Sequence, residues 1–273
     1  MNLALCAQGL EYKAVVEAVR LNTPILSRHC RSPVSVMRHH PRKRFGQNFL
    51  RDESTIEAIA RAIAPDDSDH IVEIGPGEGA LTQALISGEC RLDAIELDRD
   101  LRTRLLAAFS TYSGFTLHSA DALDFDFASL ATGGTRLRVV GNLPYNISTP
   151  LIFKLLEQAA IIKDMHFMLQ LEVVERLTAS PGSKDWGRLG VMTQFRCEVE
   201  ALFEVPPEAF HPAPKVHSAV VRLTPHPTPA YPHVDPISLA RVVTQAFSQR
   251  RKTLRNNFKG TMEDNDFGAL TID

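Results

Sequence analysis

The sequence predicts an α/β protein built on a doubly wound, mostly parallel sheet. Strand patterns and helix patterns alternate from residue 54 to residue 171, and the turns between them are short. A glycine-rich turn joins one of these strands directly to the helix that follows it. Because consecutive β-α-β units connect parallel strands, we expect helices on both faces of the sheet. The length of 273 residues allows one large domain, or one large and one small domain.

The individual elements follow from local patterns. The first helix is predicted to begin at Ser54, which forms a capping box with Glu57, and to end at Pro65. The strands are predicted at 70–74, 91–97, 115–119, 137–140, 166–171 and 219–223. Further helices are predicted at 80–86, 101–109 and 150–160.

The composition divides the chain into four segments. Residues 1–36 are expected to be an extension outside the fold, disordered or a non-native start, since acidic residues interrupt any apolar signal segment. Residues 37–223 form the large domain, and the five prolines of 224–236 predict a stiff linker. Residues 237–273 begin as a basic amphipathic helix. They are too few to bury a core of their own, so they pack on the large domain or belong to a longer small domain.

Positive charge is concentrated in two short segments. Residues 38–51 and 241–260 carry 11 of the 30 basic side chains and no acid, although the net charge of the whole chain is −2. This distribution is expected of a protein that presents one face to a polyanion, and solvated helix faces are the alternative on charge alone.

Other classes of partner are not indicated. No apolar run approaches the ~18 residues of a membrane span. The four cysteines and ten histidines show no metal-ligand spacing. We therefore expect neither a membrane nor a metal as partner, and reduced thiols in a cytoplasmic protein.

The glycine-rich turn reads EIGPGEGA at 73–80. Gly75 and Gly77 let the backbone turn tightly and let a ligand approach without meeting a Cβ atom. A dinucleotide site is one interpretation, but Glu73 precedes the first glycine and Pro76 removes an N–H that a pyrophosphate would use. S-adenosylmethionine has no phosphate and ends in an amino acid, so it suits this turn better. A glycine turn without a ligand is the remaining alternative.

Acidic residues follow the next two strands. Glu96 stands where a carboxylate accepts hydrogen bonds from ribose hydroxyls, in proteins that bind NAD and in those that bind S-adenosylmethionine. Asp98 is expected to cap the next helix. Asp121, beside Ala122, suits the amine of an adenine, although an acid after a strand is more often a turn former.

The turn NLPYNIST at 142–149 indicates a specific chemistry. An adenine N6 amine is a poor nucleophile because its lone pair is delocalised into the ring. Asn142 Oδ1 and the Leu143 carbonyl can accept its two hydrogens and free that lone pair, with Pro144 fixing the carbonyl. Tyr145 offers an aromatic face on which the base can stack. A sulfonium is a strong methyl donor, so the amine needs no strong base and its proton can leave to water.

Together these motifs resemble the ribosomal RNA adenine dimethylase family. The segments that carry the resemblance are KRFGQNFL at 43–50, EIGPGEGALT at 73–82, IELD at 95–98, NLPYNIST at 142–149, FHPAPKVHSAV at 210–220 and QRRKTLRN at 249–256. The resemblance covers about residues 38–273 and is strongest to the bacterial small-subunit branch. It implies a Rossmann-like class I methyltransferase fold with a small C-terminal helical domain, which we expect this chain to carry incompletely.

The activity that the resemblance implies is dimethylation at N6 of two adjacent adenosines, with S-adenosylmethionine as cofactor. The adenosines lie in a hairpin near the 3′ end of small-subunit (16S) rRNA, within a pre-assembled 30S particle. A flipped base, a monomeric cytoplasmic enzyme and a role in small-subunit biogenesis are also implied. The alternatives are methylation of large-subunit rRNA, and a ribosome-assembly factor whose catalysis is secondary. A nicotinamide dehydrogenase is the weakest, since no hydride-transfer constellation is present.

The resemblance also implies roles for individual residues. Cofactor-binding roles fall on Asn48, Leu50, Gly75, Gly77, Glu96, Asp121, Ala122 and Asn142. Catalytic roles fall on Asn142, Leu143, Pro144, Tyr145 and Phe210. Asn48 and Leu50 would close over the methionine end of the cofactor. Phe210 would stack on the flipped base opposite Tyr145, and without its motif it would be taken for a core aromatic.

Contacts with rRNA phosphates are implied for Arg42, Lys43, Arg44, Arg250, Arg251, Lys252 and Arg255. Leu171 departs from the family, which commonly has a lysine at this position. The difference removes either an RNA contact or only a surface charge.

Overall fold

The computed structural model describes residues 47–228, 231–249 and 251–262. The predictions for residues 1–36, and the RNA-binding roles of Arg42, Lys43, Arg44 and Arg250, lie outside these residues.

Strands and helices alternate through most of the described chain. The strands are β1 (Phe49–Leu50), β2 (His70–Ile74), β3 (Arg91–Ile95), β4 (Phe115–His118), β5 (Leu137–Asn142), β6 (Ile162–Gln170), β7 (Cys197–Val205), β8 (Phe210–His211) and β9 (Ser218–Pro225). The helices are α1 (Glu53–Ile63), α2 (Ala80–Ile86), α3 (Arg99–Phe109), α4 (Ser148–Glu157), α5 (Leu171–Thr178), α6 (Arg188–Arg196), α7 (Pro236–Ala246) and α8 (Leu254–Asn257). Short 3₁₀ turns lie at Phe127–Ser129, Ala159–Ile161 and Pro207–Ala209.

Seven strands form the central sheet, in the order β4-β3-β2-β5-β6-β9-β7. The first five are parallel, β9 is antiparallel to β6, and β7 is antiparallel to β9. The strand order reverses between β2 and β5. In open α/β sheets, ligands bind at the carboxyl ends of the strands beside such a reversal. The predicted doubly wound, mostly parallel sheet is therefore confirmed.

Each face of the sheet buries its own apolar layer. Because side chains alternate along a strand, Val139 and Phe167 contribute to the layer beneath α4 and α5. Their neighbours Val140 and Met168 contribute to the layer beneath α1 and α2. Helices therefore cover both faces of the sheet, as predicted.

The predicted start of the first helix was wrong. The N-cap is Asp52 rather than Ser54, and α1 begins at Glu53. Asp52 Oδ2 accepts hydrogen bonds from Thr55 N at 2.8 Å and from Ser54 Oγ at 2.6 Å. A carboxylate at this position satisfies the backbone donor one turn into the helix, so Ser54 lies inside the first turn.

Two boundaries near the turn at 142–149 also differ from prediction. Strand β5 continues two residues past Val140 and ends at Asn142, so the turn begins inside the sheet. Helix α4 starts at Ser148, which places Pro150 in its first turn, where a backbone N–H has no helical partner to lose.

No element was predicted between residues 172 and 209, where the structure has α5, α6 and β7. Strand β7 is an edge strand with a register shift between Ala201 and Phe203, which breaks the two-residue alternation that marks a strand. Leu171 begins α5, donates its N–H to His217 O at 2.9 Å and packs against the core. In this chain Leu171 is a packing residue.

The C-terminal part of the described chain is joined to the rest by side-chain packing. Pro225 ends β9, and Pro236 begins α7, which packs against α6 and buries Val243. The Tyr231 ring stacks on that of Phe195, with 6.1 Å between centroids. The division into a large domain, a linker and a C-terminal segment remains a prediction. Among the described residues, no helix combines the length and apolar character that a bilayer span requires.

Candidate active site

A cavity of about 360 Å³ lies at the carboxyl ends of the central strands, where the strand order reverses. This volume is within the range of small-ligand sites. Its lining includes most of the predicted site residues, namely Asn48, Leu50, Gly75, Gly77, Glu96, Asp121, Ala122, Asn142, Leu143, Pro144 and Tyr145. Phe210 is not among the lining residues. The structure thus brings together segments far apart in sequence.

The glycine-rich turn packs against Phe49, near the N-terminal end of the described chain. Gly77 has φ +59°, and a Cβ atom there would lie 3.0 Å from the Phe49 ring. Its N–H donates to Glu96 Oε2 at 3.3 Å. Both the positive φ and the contact with Phe49 explain why a glycine is needed here.

Glu96 is buried, and the donors that reach it are backbone N–H groups. Its Oε1 accepts from Asp98 N at 2.8 Å. Burial raises the pKa of Glu96, although the N–H groups of Asp98 and Gly77 oppose that change. Asp98 accepts from Asp100 N at 2.9 Å, so its predicted role as a helix cap is confirmed. Asp121 accepts from Leu123 N at 2.9 Å, as a turn former does, and also lines the cavity.

Residues 47–52, here called the strap, lie along the cavity and are held by several elements. Gln47 Nε2 donates to Asp98 Oδ2 at 3.3 Å, and Arg51 pairs with Glu78 at 3.0 Å. On its other side, the strap pairs with β8 through β1, with Leu50 opposite Phe210. The strap therefore connects the glycine-rich turn with the segment that contains Phe210.

Asn142 has an orientation fixed by the strap. Its Nδ2 donates to the Asn48 carbonyl at 3.0 Å. A carbonyl can only accept, so the amide nitrogen must face Asn48 and Oδ1 must face the other way. Leu143 N donates to Met168 O at 3.2 Å, which holds the backbone of the turn against β6. These two hydrogen bonds hold the Asn142 side chain in place, with its Oδ1 directed away from Asn48.

The remainder of the turn is held by hydrogen bonds of its own. The Pro144 carbonyl accepts from Ile147 N at 3.1 Å and from Ser148 N at 3.2 Å. Tyr145 is partly exposed, and its hydroxyl lies 3.3 Å from Ser218 Oγ. The ring of Tyr145 is therefore anchored at one end while the turn borders the cavity.

Phe210 is placed differently from its predicted role. Its side chain is 5% exposed and packs in the apolar layer that also contains Leu50 and Val220. In this arrangement it is a core aromatic, because pairing of β8 with β1 directs it into that layer. Stacking on a target base remains a prediction for Phe210 and requires its ring to leave this packing.

Glu73, Leu97 and His166 are notable among the lining residues to which the sequence analysis assigned no site role. Glu73 is buried and accepts from Thr82 Oγ1 at 2.6 Å, and burial raises its pKa from 4.5 to about 7 against that hydrogen bond. Leu97 follows Glu96 and is 51% exposed, which is unusual for a leucine at a cavity. His166 is buried in the middle of β6. The carboxylate before the first glycine pointed to Glu73, but no sequence pattern marked His166.

The lining is strongly acidic. Its carboxyl groups belong to Glu73, Glu78, Glu96, Asp98 and Asp121, and no lysine or arginine is found among the lining residues that the structure describes. Arg51 and Arg104 reach Glu78 from the rim, at 3.0 and 4.0 Å. Such a cavity favours a cationic ligand over a phosphate-bearing one.

The predicted phosphate-binding side chains that the structure describes lie outside the cavity. Arg251, Lys252 and Arg255 are exposed near the start of α8, as expected of phosphate-binding side chains. Within the described ranges, no group of three or more histidine, cysteine or acidic residues could hold a metal ion.

Comparison with known proteins identifies the family. The sequence profile of the ribosomal RNA adenine dimethylase family matches residues 38–272. Ribosomal RNA small subunit methyltransferase A of Saccharophagus degradans is 60% identical over 235 residues, which are 86% of this chain and 88% of that protein. The protein of the same name from Pseudomonas aeruginosa is 59% identical with the same coverage.

Two solved structures share the fold. The 23S rRNA methyltransferase ErmE and a dimethyladenosine transferase from Plasmodium falciparum each match with a TM-score of 0.66 and 28% identity. They are matched over 81% of this chain and over 88% and 78% of their own chains. The chain has the Rossmann-like methyltransferase fold that its sequence predicts and belongs to the ribosomal RNA adenine dimethylase family.

Proposed function

We propose that this protein dimethylates N6 of adenosines in small-subunit rRNA, with S-adenosylmethionine as its cofactor. The observation that carries the proposal is the position of the Asn142–Tyr145 turn, which borders the acidic cavity beside the glycine-rich turn. Membership of the family and 60% identity to a small-subunit methyltransferase support the same activity.

The donors and acceptors of the cavity fit S-adenosylmethionine. Glu96 would accept hydrogen bonds from the ribose hydroxyls, Asp121 would accept from the adenine amine, and the apolar side chain of Leu97 would pack on the adenine ring. The strap residues Asn48 and Leu50, with Gly75, would enclose the methionine end. The five carboxyl groups favour the sulfonium and ammonium charges, whereas a pyrophosphate would be repelled.

The chemistry on the target side is carried by the turn. When bound, S-adenosylmethionine supplies a methyl group on a positively charged sulfur. Asn142 Oδ1, directed away from Asn48, would accept one hydrogen of the adenine amine, and the Leu143 carbonyl would accept the other. Pro144 restricts the backbone that presents this carbonyl, and Tyr145 offers its ring to the base. These residues orient the amine and leave its proton to pass to water.

The adenine must leave its stack to reach this turn, since Asn142 lies at the end of β5 beside the half-buried Tyr145. Exposed Arg251, Lys252 and Arg255 would neutralise phosphates of the rRNA, so binding is expected to weaken as salt rises. We propose as substrate two adjacent adenosines of a hairpin near the 3′ end of 16S rRNA, in a pre-assembled 30S particle in the cytoplasm.

The test is mass mapping of methylated adenosines after incubation of the full chain with labelled S-adenosylmethionine and purified subunits from a strain that lacks the modification. We expect two dimethylated adenosines on small subunits and none on large subunits. Methylation of large subunits alone would overturn the assignment of the substrate. Binding to small subunits without label transfer would instead indicate an assembly factor, and Asn142→Ala provides the inactive reference.

A further inference from the structure

The floor of the cavity contains two buried titratable side chains that the proposed chemistry does not use. Glu73 on β2 and His166 on β6 both line the cavity, and each is 2% exposed. Val140 of β5 pairs with both in the strand register. Paired residues of parallel strands face the same side, so both side chains flank Val140, with Cα atoms about 10 Å apart by the strand spacing.

The Glu73 carboxyl has little to stabilise a negative charge. Thr82 Oγ1 is the hydrogen-bond donor that reaches it, at 2.6 Å. Burial raises its pKa to about 7, Thr82 opposes this change, and the nearby Glu96 charge adds to it. At neutral pH this carboxyl therefore exchanges readily between its protonated and ionised forms.

Among the described residues that line the cavity, no lysine or arginine offers Glu73 a fixed cation. The other titratable side chains that line the cavity are Glu78, Glu96, Asp98, Asp121, Tyr145 and His166. His166 Nδ1 lies 3.5 Å from Asp164 Oδ1, which is long for a hydrogen bond, and its Nε2 has no hydrogen-bond partner among the described residues. A positive charge for Glu73 would have to arrive with the ligand.

We propose that Glu73 distinguishes the sulfonium cofactor from its thioether product. The carboxyl is ionised while the sulfonium compound fills the cavity, and it takes up one proton from solvent once only the thioether is left. This inference rests on the proposed function, because it requires S-adenosylmethionine as the ligand.

The charges balance through the reaction. The methyl carbon leaves sulfur and bonds to N6, the electron pair of the broken bond stays on sulfur, and the amine loses its proton to water. The cavity thereby loses one positive charge beside a buried carboxylate, and in a medium of low polarity that change favours protonation of Glu73. As the pH rises, the affinity for S-adenosylhomocysteine should therefore fall relative to the affinity for S-adenosylmethionine.

The measurement is isothermal titration calorimetry of the full chain in buffers with different ionisation enthalpies, which counts the protons released on binding. At pH 7, binding of S-adenosylmethionine should release about half a proton, because a carboxyl with a pKa of about 7 is half protonated there. S-adenosylhomocysteine should release clearly less. The affinity for S-adenosylmethionine should also be about tenfold weaker at pH 6 than at pH 8.

Variants assign the proton to one residue. Glu73→Gln keeps an oxygen that accepts from Thr82 but cannot ionise, so the release of protons and the pH dependence should both disappear. His166→Gln is the matched control on the other side of the floor and should retain the release. Loss of the release in His166→Gln but not in Glu73→Gln would overturn the proposal.

The wild-type comparison needs no variant. Equal proton release with S-adenosylmethionine and S-adenosylhomocysteine would overturn the inference even if Glu73→Gln failed to fold. Binding of S-adenosylmethionine without any proton release would overturn the inference and leave the proposed function intact. Absence of binding would overturn the proposed function, and the inference with it.

Discussion

Buried carboxyl groups lie at both ends of the central sheet, and the two ends treat them in opposite ways. At the amino ends of the strands, Arg138 donates to Asp164 at 3.1 Å and to Asp69 at 2.6 Å, and Lys163 donates to Asp69 at 2.8 Å. At the carboxyl ends, the hydrogen bonds that Glu73 and Glu96 accept from the described residues come from a hydroxyl and from backbone N–H groups. The first arrangement is complete by itself, whereas the second leaves negative charge for a ligand to neutralise.

The pKa values follow this difference. Burial would raise the pKa of Asp164, but the hydrogen-bonded Arg138 guanidinium and the nearby His166 ring together outweigh burial and lower the pKa. For Glu73 and Glu96, burial prevails and the pKa is raised. Buried carboxyl groups with a cationic partner thus stay ionised in the fold, whereas those without one have a raised pKa and leave a charge that a cationic ligand could neutralise.

The largest effect is expected when the ion pairs at the amino ends of the strands are broken. Arg138→Met should lower the free energy of unfolding by about 3–5 kcal/mol, because Asp164 would remain buried without its cation and Asp69 would keep only the half-exposed Lys163. Arg138 also donates to the Ile63 carbonyl at the end of α1, so that helix end would lose a partner. Urea denaturation at pH 7 measures the change.

The matched control is Arg222→Met, which removes an ion pair with Glu200 in which both side chains are more than 40% exposed. Its effect should stay below about 1 kcal/mol. Similar losses in both variants would contradict the distinction between a buried cluster and a surface pair.

A substitution at the carboxyl ends of the strands should affect methylation more than the stability of the fold. Asn142→Ala removes the proposed acceptor of the adenine amine, and methylation should fall about 10²–10³-fold. Cofactor affinity should fall only a few-fold, because the lost contact to the strap is a single hydrogen bond. Single-turnover methylation and cofactor titration measure the two effects. Gln83→Ala, an exposed amide on α2, serves as the control.

The buried Glu73 carboxyl at this end of the sheet should also lower the stability of the protein when no ligand is bound. An acid whose pKa is raised from 4.5 to about 7 on folding stabilises the native state least above pH 7, because the unfolded chain ionises first. Glu73→Gln should therefore be more stable than the wild type at pH 8, by up to about 3 kcal/mol, with little difference at pH 4. Thermal unfolding across this pH range tests the sign, and a destabilised Glu73→Gln at pH 8 would contradict it.

The difference between the two ends also explains what could be predicted from sequence. That Gly75, Glu96 and Asn142 line one cavity could be predicted, because they stand at or just after the carboxyl ends of β2, β3 and β5, in motifs that follow each other along the chain. The cluster around Arg138 was not found, since Asp69, Arg138 and Asp164 are far apart in sequence and meet only through the strand register.

The predictions were less accurate where tertiary packing determines the position of a side chain or of a strand. Phe210 belongs to a recognisable motif, but pairing of β8 with β1 directs its ring into the core. Strand β7 was missed because its register shift breaks the alternation of side chains. His166 carries no sequence signal, since a histidine inside an apolar strand is recognised as part of the cavity only when the sheet is assembled.

A smaller effect on binding is expected from Glu96. Glu96→Gln should weaken S-adenosylmethionine about 10–100-fold, since hydrogen bonds to a charged group contribute about 1.5–3 kcal/mol. Methylation at saturating cofactor should change little, which separates this residue from Asn142. Equilibrium binding and methylation at increasing cofactor concentration distinguish the two roles. Glu157→Gln, on the exposed side of α4, is the control.

The smallest effect concerns Asp93 on β3, a buried carboxyl that is paired as Asp69 and Asp164 are. Asp93 lies 2.6 Å from His70 Nε2 and 2.6 Å from His118 Nε2. Burial would raise its pKa, but the hydrogen bonds from the two histidines outweigh burial and lower the pKa below 3.8. Stability from this group is therefore present above pH 3.8 and is lost as the pH falls through the lowered pKa.

Asp93→Asn should lower the free energy of unfolding by about 1–2 kcal/mol at pH 6, and the difference from wild type should shrink as the pH falls below 3.8. Urea denaturation at several pH values follows both quantities. A difference that grows at low pH would mean that Asp93 resembles Glu73 rather than Asp164. Pairing with a cation or a histidine would then not be what separates the structural carboxyls of this sheet from those of the cavity.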